Sequence, residues 1–363
     1  MLWRLQRSVG QSTVGQSQRP RSTTIARMTL SPVPERAPAD TGFRVCVRAR
    51  PALPHEHDAY AELDAVRVDS SNEITVGGDD SIGPDFARST TYRFDRVFAP
   101  DVGQAAVYEH CARPAVTSLF DGFNSTVMAY GQTGAGKTFT VEGEGHVERA
   151  GILPRAARDI FALTSGYNFE PPVRFAVRAS YLEIYQEHLT DLLAPADAER
   201  PAGGLAIRED RRRGLFVEGL SEWEVRSPAD IAELAHRGGV YRHTAATEAN
   251  ASSSRSHAVF VIVVEQFSDG VATGGGDGDA DGAAAAVGRH RVAKLNLVDL
   301  AGSERIGTSG LSGQRLQECR KINASLSALG ARARVPSPRN SRAQFSRNSD
   351  GHRPPLPRPR QAM

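Results

Sequence analysis

One octapeptide constrains this chain more than any other stretch: Gly131-Gln132-Thr133-Gly134-Ala135-Gly136-Lys137-Thr138. It satisfies the spacing G-x-x-x-x-G-K-[ST] in full and lies between a short apolar run, STVMAYG, and the expected start of a helix. The small residues let the backbone wrap a phosphate chain with successive N–H groups pointing inward, and a helix N-terminus adds partial positive charge there. Lys137 is expected to reach the β- and γ-phosphates, and the Thr138 hydroxyl to ligate Mg²⁺. A glycine turn that binds nothing is the plain alternative, and the Lys and Thr at their required places argue against it. Taken alone, the loop implies only a nucleotide enzyme built on a strand–loop–helix unit.

The flanking sequence supplies more strands and helices in alternation. FRVCVRARP from Phe43 and TYRFDRVFAP from Thr91 alternate as strands, and the first closes on Pro51. QAAVYEHCARPAVTSLFDGFN reads as helix interrupted at Pro114; ILPRAARDIFALTS and SPADIAELAHRGGVYR read as further helices. Strands are expected at VRFAVRASYLEIY, HAVFVIVVEQF and RVAKLNLVDLAG. This alternation predicts an α/β fold of the P-loop NTPase type, with a mostly parallel or mixed central sheet and helices on both faces. In RLQECRKINASLSALG, Leu316, Cys319, Ile322, Leu326 and Leu329 form one apolar stripe of a last helix.

The organisation expected is a leader over 1–40, an ordered domain over 41–330 and a tail over 331–363. The leader carries no acidic residue before Glu35 and is rich in Arg, Ser, Gln and Pro. It reads as a disordered or wrongly joined segment, or as an organellar transit peptide. The tail is Arg-, Pro- and Ser-rich and also reads as disordered. Between two strands, residues 268–290 are mostly Gly, Asp and Ala, which predicts a surface loop; the segment lacks the Glu that closes an EF-hand loop.

Composition excludes several classes. The formal net charge of +2 gives no reason to expect nucleic acid as a partner. The longest apolar run, Ala258 to Val264, is too short for a membrane span and reads as a buried strand. Cys46, Cys111 and Cys319 are widely spaced, odd in number and without a CxxC pair. This argues against a disulfide framework or zinc site and suits a reducing compartment, hence a soluble intracellular protein.

Two later segments narrow the reading: Asn250-Ala-Ser-Ser-Ser-Arg-Ser-His257 and Asp299-Leu-Ala-Gly302-Ser-Glu304. Asp299 closes the strand KLNLVDL, where a carboxylate can hold Mg²⁺ directly or through water. Gly302 has no side chain to keep its N–H from a γ-phosphate oxygen. Taken singly, a serine cluster is as readily a solvated loop or helix cap, and DxxG is common. The set AYGQTGAGKTFT, NASSSRSH, DLAGSE and RARP, with INASLSALG at the end, resembles the kinesin motor domain from about Phe43 to Gly330.

That resemblance implies a microtubule-dependent ATPase with ATP and Mg²⁺ as ligands, microtubules (tubulin) as partner and the cytoplasmic cytoskeleton as its place. It implies that Ser254 joins Thr138 and Asp299 at the metal, that Ser253 sits near the γ-phosphate and the attacking water, and that Asn250 positions the switch or that water. Arg255 and Glu304 would close the site as a salt bridge. Arg48 and Pro51 would flank the adenine and Phe139 stack on it, although Phe139 could equally be a core residue. The microtubule face would include Arg211, Arg212 and Arg213, together with Arg315, Arg320, Lys321 and Asn323 on or beside the last helix. A merely solubilising charged surface is the commoner use of such residues.

After Gly330 no YRDSKLT-like motif, final strand, closing helices or neck linker is recognisable, and no heptads follow. The expectation is therefore a motor domain lacking its last strand and helices, monomeric, with an unpaired sheet edge and compromised activity. A non-motile microtubule-binding or regulatory protein, or a non-functional fragment, is the alternative. An unrelated P-loop kinase or GTPase is disfavoured because no NKxD-like motif is present.

Overall fold

The computed structural model of the chain describes residues 44–53, 66–77, 89–166, 173–195, 198, 201, 203–210, 214–248, 253–268, 289–303 and 321–328. In chain order these form β1 (Cys46–Arg48), β2 (Val66–Val68), β3 (Glu73–Val76), β4 (Thr90–Arg93), β5 (Arg96–Phe98), α1 (Gln104–Cys111), α2 (Arg113–Phe120), β6 (Ser125–Ala129), α3 (Lys137–Val141) and α4 (Ile152–Gly166). There follow β7 (Val173–Tyr185), β8 (His188–Asp191), β9 (Ala206–Asp210), β10 (Gly214–Glu218), β11 (Trp223–Val225), α5 (Pro228–Glu248), β12 (His257–Ser268) and β13 (Arg289–Asp299). Residues 321–328 form a last helical segment, α6.

The central sheet runs β11-β7-β12-β13-β6, with β8 also on β7. Of the two forms expected, the sheet is mixed: β6 and β13 are parallel, whereas β7, β12 and β13 pair antiparallel. The connection from β12 to β13 lies outside the described residues. It joins antiparallel neighbours whose register runs unbroken from Ala258 opposite Asp299 to Ser268 opposite Arg289. Among the described residues β6 pairs only with β13, while β1 pairs parallel with β5 in a separate two-stranded sheet.

Period-two alternation sorts the long strands into two faces. Phe260, Ile262 and Val264 stand opposite Leu297, Leu295 and Ala293 on one side and Tyr181, Ala179 and Val177 on the other. These nine side chains join Val116, Leu119, Ala156, Ile160 and Ile231 in one buried cluster. Helices α1 to α5 therefore cover one face of the sheet, and each fully buried Leu or Ile there contributes roughly 1.5–3 kcal/mol. The other face carries Leu182, Val259 and His257, and α6 packs against its end through Ser325 and His257.

Local departures from the expected elements have identifiable causes. TYRFDRVFAP is two strands, because Asp95 turns the chain from β3 to β1. Its N–H donates to Val45 O at 3.0 Å, and its Oδ2 accepts from Val45 N–H at 2.6 Å. The break at Pro114 falls at the first turn of α2, where a missing N–H costs nothing. Helix α5 runs through Gly238 and Gly239, which would ordinarily weaken it. A Cβ on Gly238 would stand 2.3 Å from Cδ1 of the Tyr181 ring, so the glycine lets the helix lie directly on β7. Tyr181 is itself buried, and its hydroxyl donates to Glu142 Oε1 at 3.1 Å.

The two glycines should therefore respond in opposite senses. Gly238→Ala is expected to lower stability in chemical denaturation by about 1–3 kcal/mol, because the anchored ring cannot swing aside. Gly239→Ala meets nothing within 4 Å and is expected to gain about 0.5–1 kcal/mol from helix propensity.

Candidate functional site

The parallel pairing of β6 with β13 sets Ala129 beside Asp299 and brings the loops that leave both strands together. Leu300 N–H donates to Ala129 O at 3.2 Å, and Ser303 N–H to Gly131 O at 3.2 Å. Gly134 and Gly136 have φ of 79° and 87°, a left-handed conformation that suits glycine, and a Cβ on either would meet nothing within 4 Å. Backbone conformation, not crowding, is what calls for glycine here. Gln132, Thr133 and Gly134 are exposed at the mouth of the loop. Lys137 Nζ donates to Gly131 O and Gln132 O, both at 3.0 Å.

Thr138 is the first link to the rest of the site. Its Oγ1 donates to Asp299 Oδ2 at 2.6 Å, across 161 residues of sequence. Asp299 is only 4% exposed, and its other oxygen, Oδ1, is buried without a hydrogen-bond donor. A buried carboxylate oxygen left unsatisfied is costly, and a cation or its bound water would relieve that cost. Among the described residues no group of three His, Cys, Asp or Glu could hold a metal. Any ion at this place would rest on hydroxyls together with one carboxylate.

The serine segment meets the same place. Residues 253–255 form a short 3₁₀ turn, and Gly302 N–H donates to Ser254 O at 2.7 Å. The amide expected to face a phosphate oxygen is thus bonded to the serine segment, so a phosphate would compete with Ser254 for it. Hydrogen bonds thus join the loop that carries Lys137, the segment that carries Ser254 and the strand that ends at Asp299. Arg255 is half-buried and lines a crevice with Gln186, Glu187, His257 and α6.

Two polar residues to which the sequence analysis gave no role hold this arrangement: Arg242, outside the motifs, and His257, the last residue of the serine motif. Arg242, on α5, is 5% exposed. Its Nη2 donates to Ser256 O at 2.9 Å; Nε lies 3.4 Å from Glu183 Oε1 and Nη1 lies 3.7 Å from Asp299 Oδ2. Glu183 and Asp299 flank Ala258 in register, and the small Ala258 side chain lets the guanidinium bridge the two carboxylates. The sequence signal was available: Arg242 continues the inward spacing of Ile231, Leu234 and Gly238. His257 is the second. Its Nδ1 accepts from Ala301 N–H at 3.0 Å, so Nε2 carries the proton and donates to Ser325 Oγ at 2.9 Å. Burial holds the His257 imidazole below its ordinary pKa, which keeps Nδ1 free as acceptor.

On the other side of the loop, Arg48 is half-buried. Its Nη1 donates to Gln104 Oε1 at 2.8 Å and to Thr140 Oγ1 at 2.9 Å, and its Cζ lies 5.3 Å from the Phe139 ring centroid. Arg149 approaches the same ring at 5.4 Å, a neighbour the motif did not suggest. Gln104 Nε2 donates to Phe139 O at 2.6 Å and fixes the start of α1 to the loop helix. Pro51 is exposed. Lys321 is exposed and Asn323 half-buried on α6.

Asn250, Glu304, Arg211, Arg212, Arg213, Arg315 and Arg320, and the side chain of Ser253, lie outside the described residues. The three arginines fall between β9 and β10, an exposed hairpin carrying the Arg208–Glu218 ion pair. Among the described residues no helix is long and apolar enough to cross a membrane.

Comparison with known proteins gives a consistent picture. The family model described as kinesin motor domain matches residues 48–336. The chain is 39% identical over 294 residues to the kinesin-like protein KIF27 of Rattus norvegicus, covering 79% of this chain and 19% of the relative. It is 39% identical over 272 residues to the kinesin heavy chain of Neurospora crassa, covering 73% of this chain and 27% of the relative. The chain thus spans about a fifth to a quarter of the length of these relatives. A solved structure described as that of a fast kinesin superposes with a TM-score of 0.65 at 36% identity, covering 79% of this chain and 73% of that one.

Two outcomes follow from the buried polar groups. Arg242→Met leaves Glu183 and Asp299 without their buried counter-charge and is expected to cost about 3–5 kcal/mol in denaturant melts. For His257 the unfolded chain takes up a proton near pH 6.5 that the native chain resists. Stability contributed by the neutral ring is therefore complete above that pH and is lost as pH falls below it. His257→Gln should flatten the stability–pH slope below pH 6.5 relative to the parent, measured by parallel melts.

Proposed function

This chain belongs to the kinesin motor family, and from that membership we propose that it binds Mg·ATP at the ends of β6 and β13 and couples ATP hydrolysis to movement on microtubules. The observation that carries the reading is the Thr138–Asp299 hydrogen bond of 2.6 Å, which ties the lysine-bearing loop to the DLAG strand at a carboxylate with one unsatisfied oxygen. In this reading Thr138, Ser254 and Asp299 hold the magnesium, which would neutralise charge on the phosphates as the bond to the γ-phosphate breaks. The amides of residues 131–136, with Gln132, Thr133 and Ala135 between the glycines, cradle the phosphate chain, and Lys137 exchanges its carbonyl partners for phosphate oxygens. Arg48, Pro51 and Phe139 hold the base, and Arg149 also approaches the Phe139 ring.

Gly302 then serves as the sensor, since its N–H can serve Ser254 O or a phosphate oxygen but not both. Ser253 and Asn250 position the attacking water, and the Arg255–Glu304 pair closes the site. His257 links this event to the track side: it bonds Ala301, one residue before Gly302, and Ser325 on α6. The microtubule face is proposed to include Arg211, Arg212, Arg213, Arg315, Arg320 and Lys321, placing the protein on the cytoskeleton.

Steady-state ATPase with and without microtubules tests the proposal. Turnover should require Mg²⁺, rise on adding microtubules and weaken as salt is raised. Lys137→Ala should reduce turnover by about 100-fold or more. Turnover indifferent to Lys137→Ala would sink the nucleotide site. Co-sedimentation with microtubules without stimulated turnover would favour the non-motile binding protein.

A further inference from the structure

One buried amide gathers the residues around the Phe139 ring. Gln104, the first residue of α1, is 4% exposed. Its Oε1 accepts from Arg48 Nη1 at 2.8 Å, and its Nε2 donates to Phe139 O at 2.6 Å and to Arg149 O at 3.3 Å. Two guanidiniums lie over that ring, with Cζ 5.3 Å from the centroid for Arg48 and 5.4 Å for Arg149. Arg149 ends the short 3₁₀ turn Val147–Arg149, outside every motif that the sequence offered.

We infer that Arg149 is a further base-binding residue: the adenine of a bound nucleotide displaces its guanidinium from the Phe139 ring, and the same guanidinium then covers the outer face of the base. The inference rests on the nucleotide site proposed above. The two cations are held unequally. Arg48 is half-buried and also donates to Thr140 Oγ1 at 2.9 Å. The Arg149 side chain is 57% exposed and pairs at 2.9 Å with Glu144, which is equally exposed. An ion pair so open to water contributes little and is readily exchanged for another partner. Arg149 is therefore the cation that yields.

The Arg149 backbone stays in place while its side chain moves. Its N–H donates to His146 O at 3.0 Å, and its carbonyl accepts from Glu144 N–H at 3.1 Å as well as from Gln104. The root of this loop is closed tightly, since a Cβ on Gly143 would stand 2.2 Å from Gly151 N and one on Gly151 2.6 Å from Glu142 C. Two stacked layers at contact distance put a guanidinium roughly 7–8 Å from the ring, about 2–3 Å beyond the present 5.4 Å. A change of rotamer supplies that movement. The planar guanidinium stacks on a purine as it does on Phe139, and keeps its edge for hydrogen bonds. The result is a base layered between Phe139 and Arg149, with Arg48 still anchored by Gln104.

Binding, not turnover, tests this. The full chain, freed of nucleotide, is titrated calorimetrically with ADP and Mg²⁺, because ADP carries the same base and is not hydrolysed. Arg149→Ala should weaken ADP binding by about 5–30-fold, the range for a cation on an aromatic face. Arg149→Lys keeps the charge without the planar face and should remain at least about 3-fold weaker than the parent. Glu144→Gln removes the competing partner and should leave binding unchanged or tighter. Unchanged affinity in Arg149→Ala, full recovery in Arg149→Lys, or a loss in Glu144→Gln as large as that in Arg149→Ala would each overturn the inference. Any of these in a parent that binds ADP leaves the nucleotide site standing, whereas a parent that does not bind ADP overturns both.

Discussion

The site depends on one buried guanidinium. Arg242 reaches from α5 to two carboxylates, Glu183 and Asp299, that the strand register places on either side of Ala258. Three charges taken out of water are expensive, and they are tolerated only where each is paired and hydrogen-bonded. Because Asp299 also accepts from Thr138, and Arg242 also donates to Ser256, the glycine loop, the serine segment, the DLAG strand and α5 form one polar unit. An apolar replacement could pack the same volume, but it could not set the orientation of the Asp299 oxygens.

The end of β12 connects this unit to the opposite face of the sheet. Successive residues of a strand point to opposite sides. Ala258 faces the charged cluster, while His257 faces α6 and the backbone of Ala301. A change in the DLAG loop is therefore felt on both sides of the sheet within two consecutive residues. In the proposed motor this is the shortest path from phosphate to track.

The local chemistry was legible where it is carried by consecutive residues. The octapeptide could be read from its own spacing, whereas the serine segment and DLAG were readable only together with it, through the family resemblance; in the fold, hydrogen bonds join the three segments. Long apolar strands such as β7, β12 and β13 were legible for the same reason, since their signal does not depend on partners. What escaped depends on register. That Glu183 and Asp299 flank Ala258, and that Arg149 shares the Phe139 ring with Arg48, are consequences of pairing between segments far apart in the chain. The paired glycines of α5 lie in a segment read as helix, but propensity says nothing about the aromatic ring that lies beneath Gly238.

The contact of Gly238 with the Tyr181 ring also limits how α5 can respond to events at the site. A glycine seated over an immovable aromatic acts as a notch on a peg: sliding along the helix axis would drive a neighbouring side chain into the ring. Arg242 lies one helical turn beyond, about 6 Å along the axis. Sliding of α5 along its axis is therefore opposed close to the residue that meets Asp299, whereas a tilt about Gly238 would leave the ring contact in place.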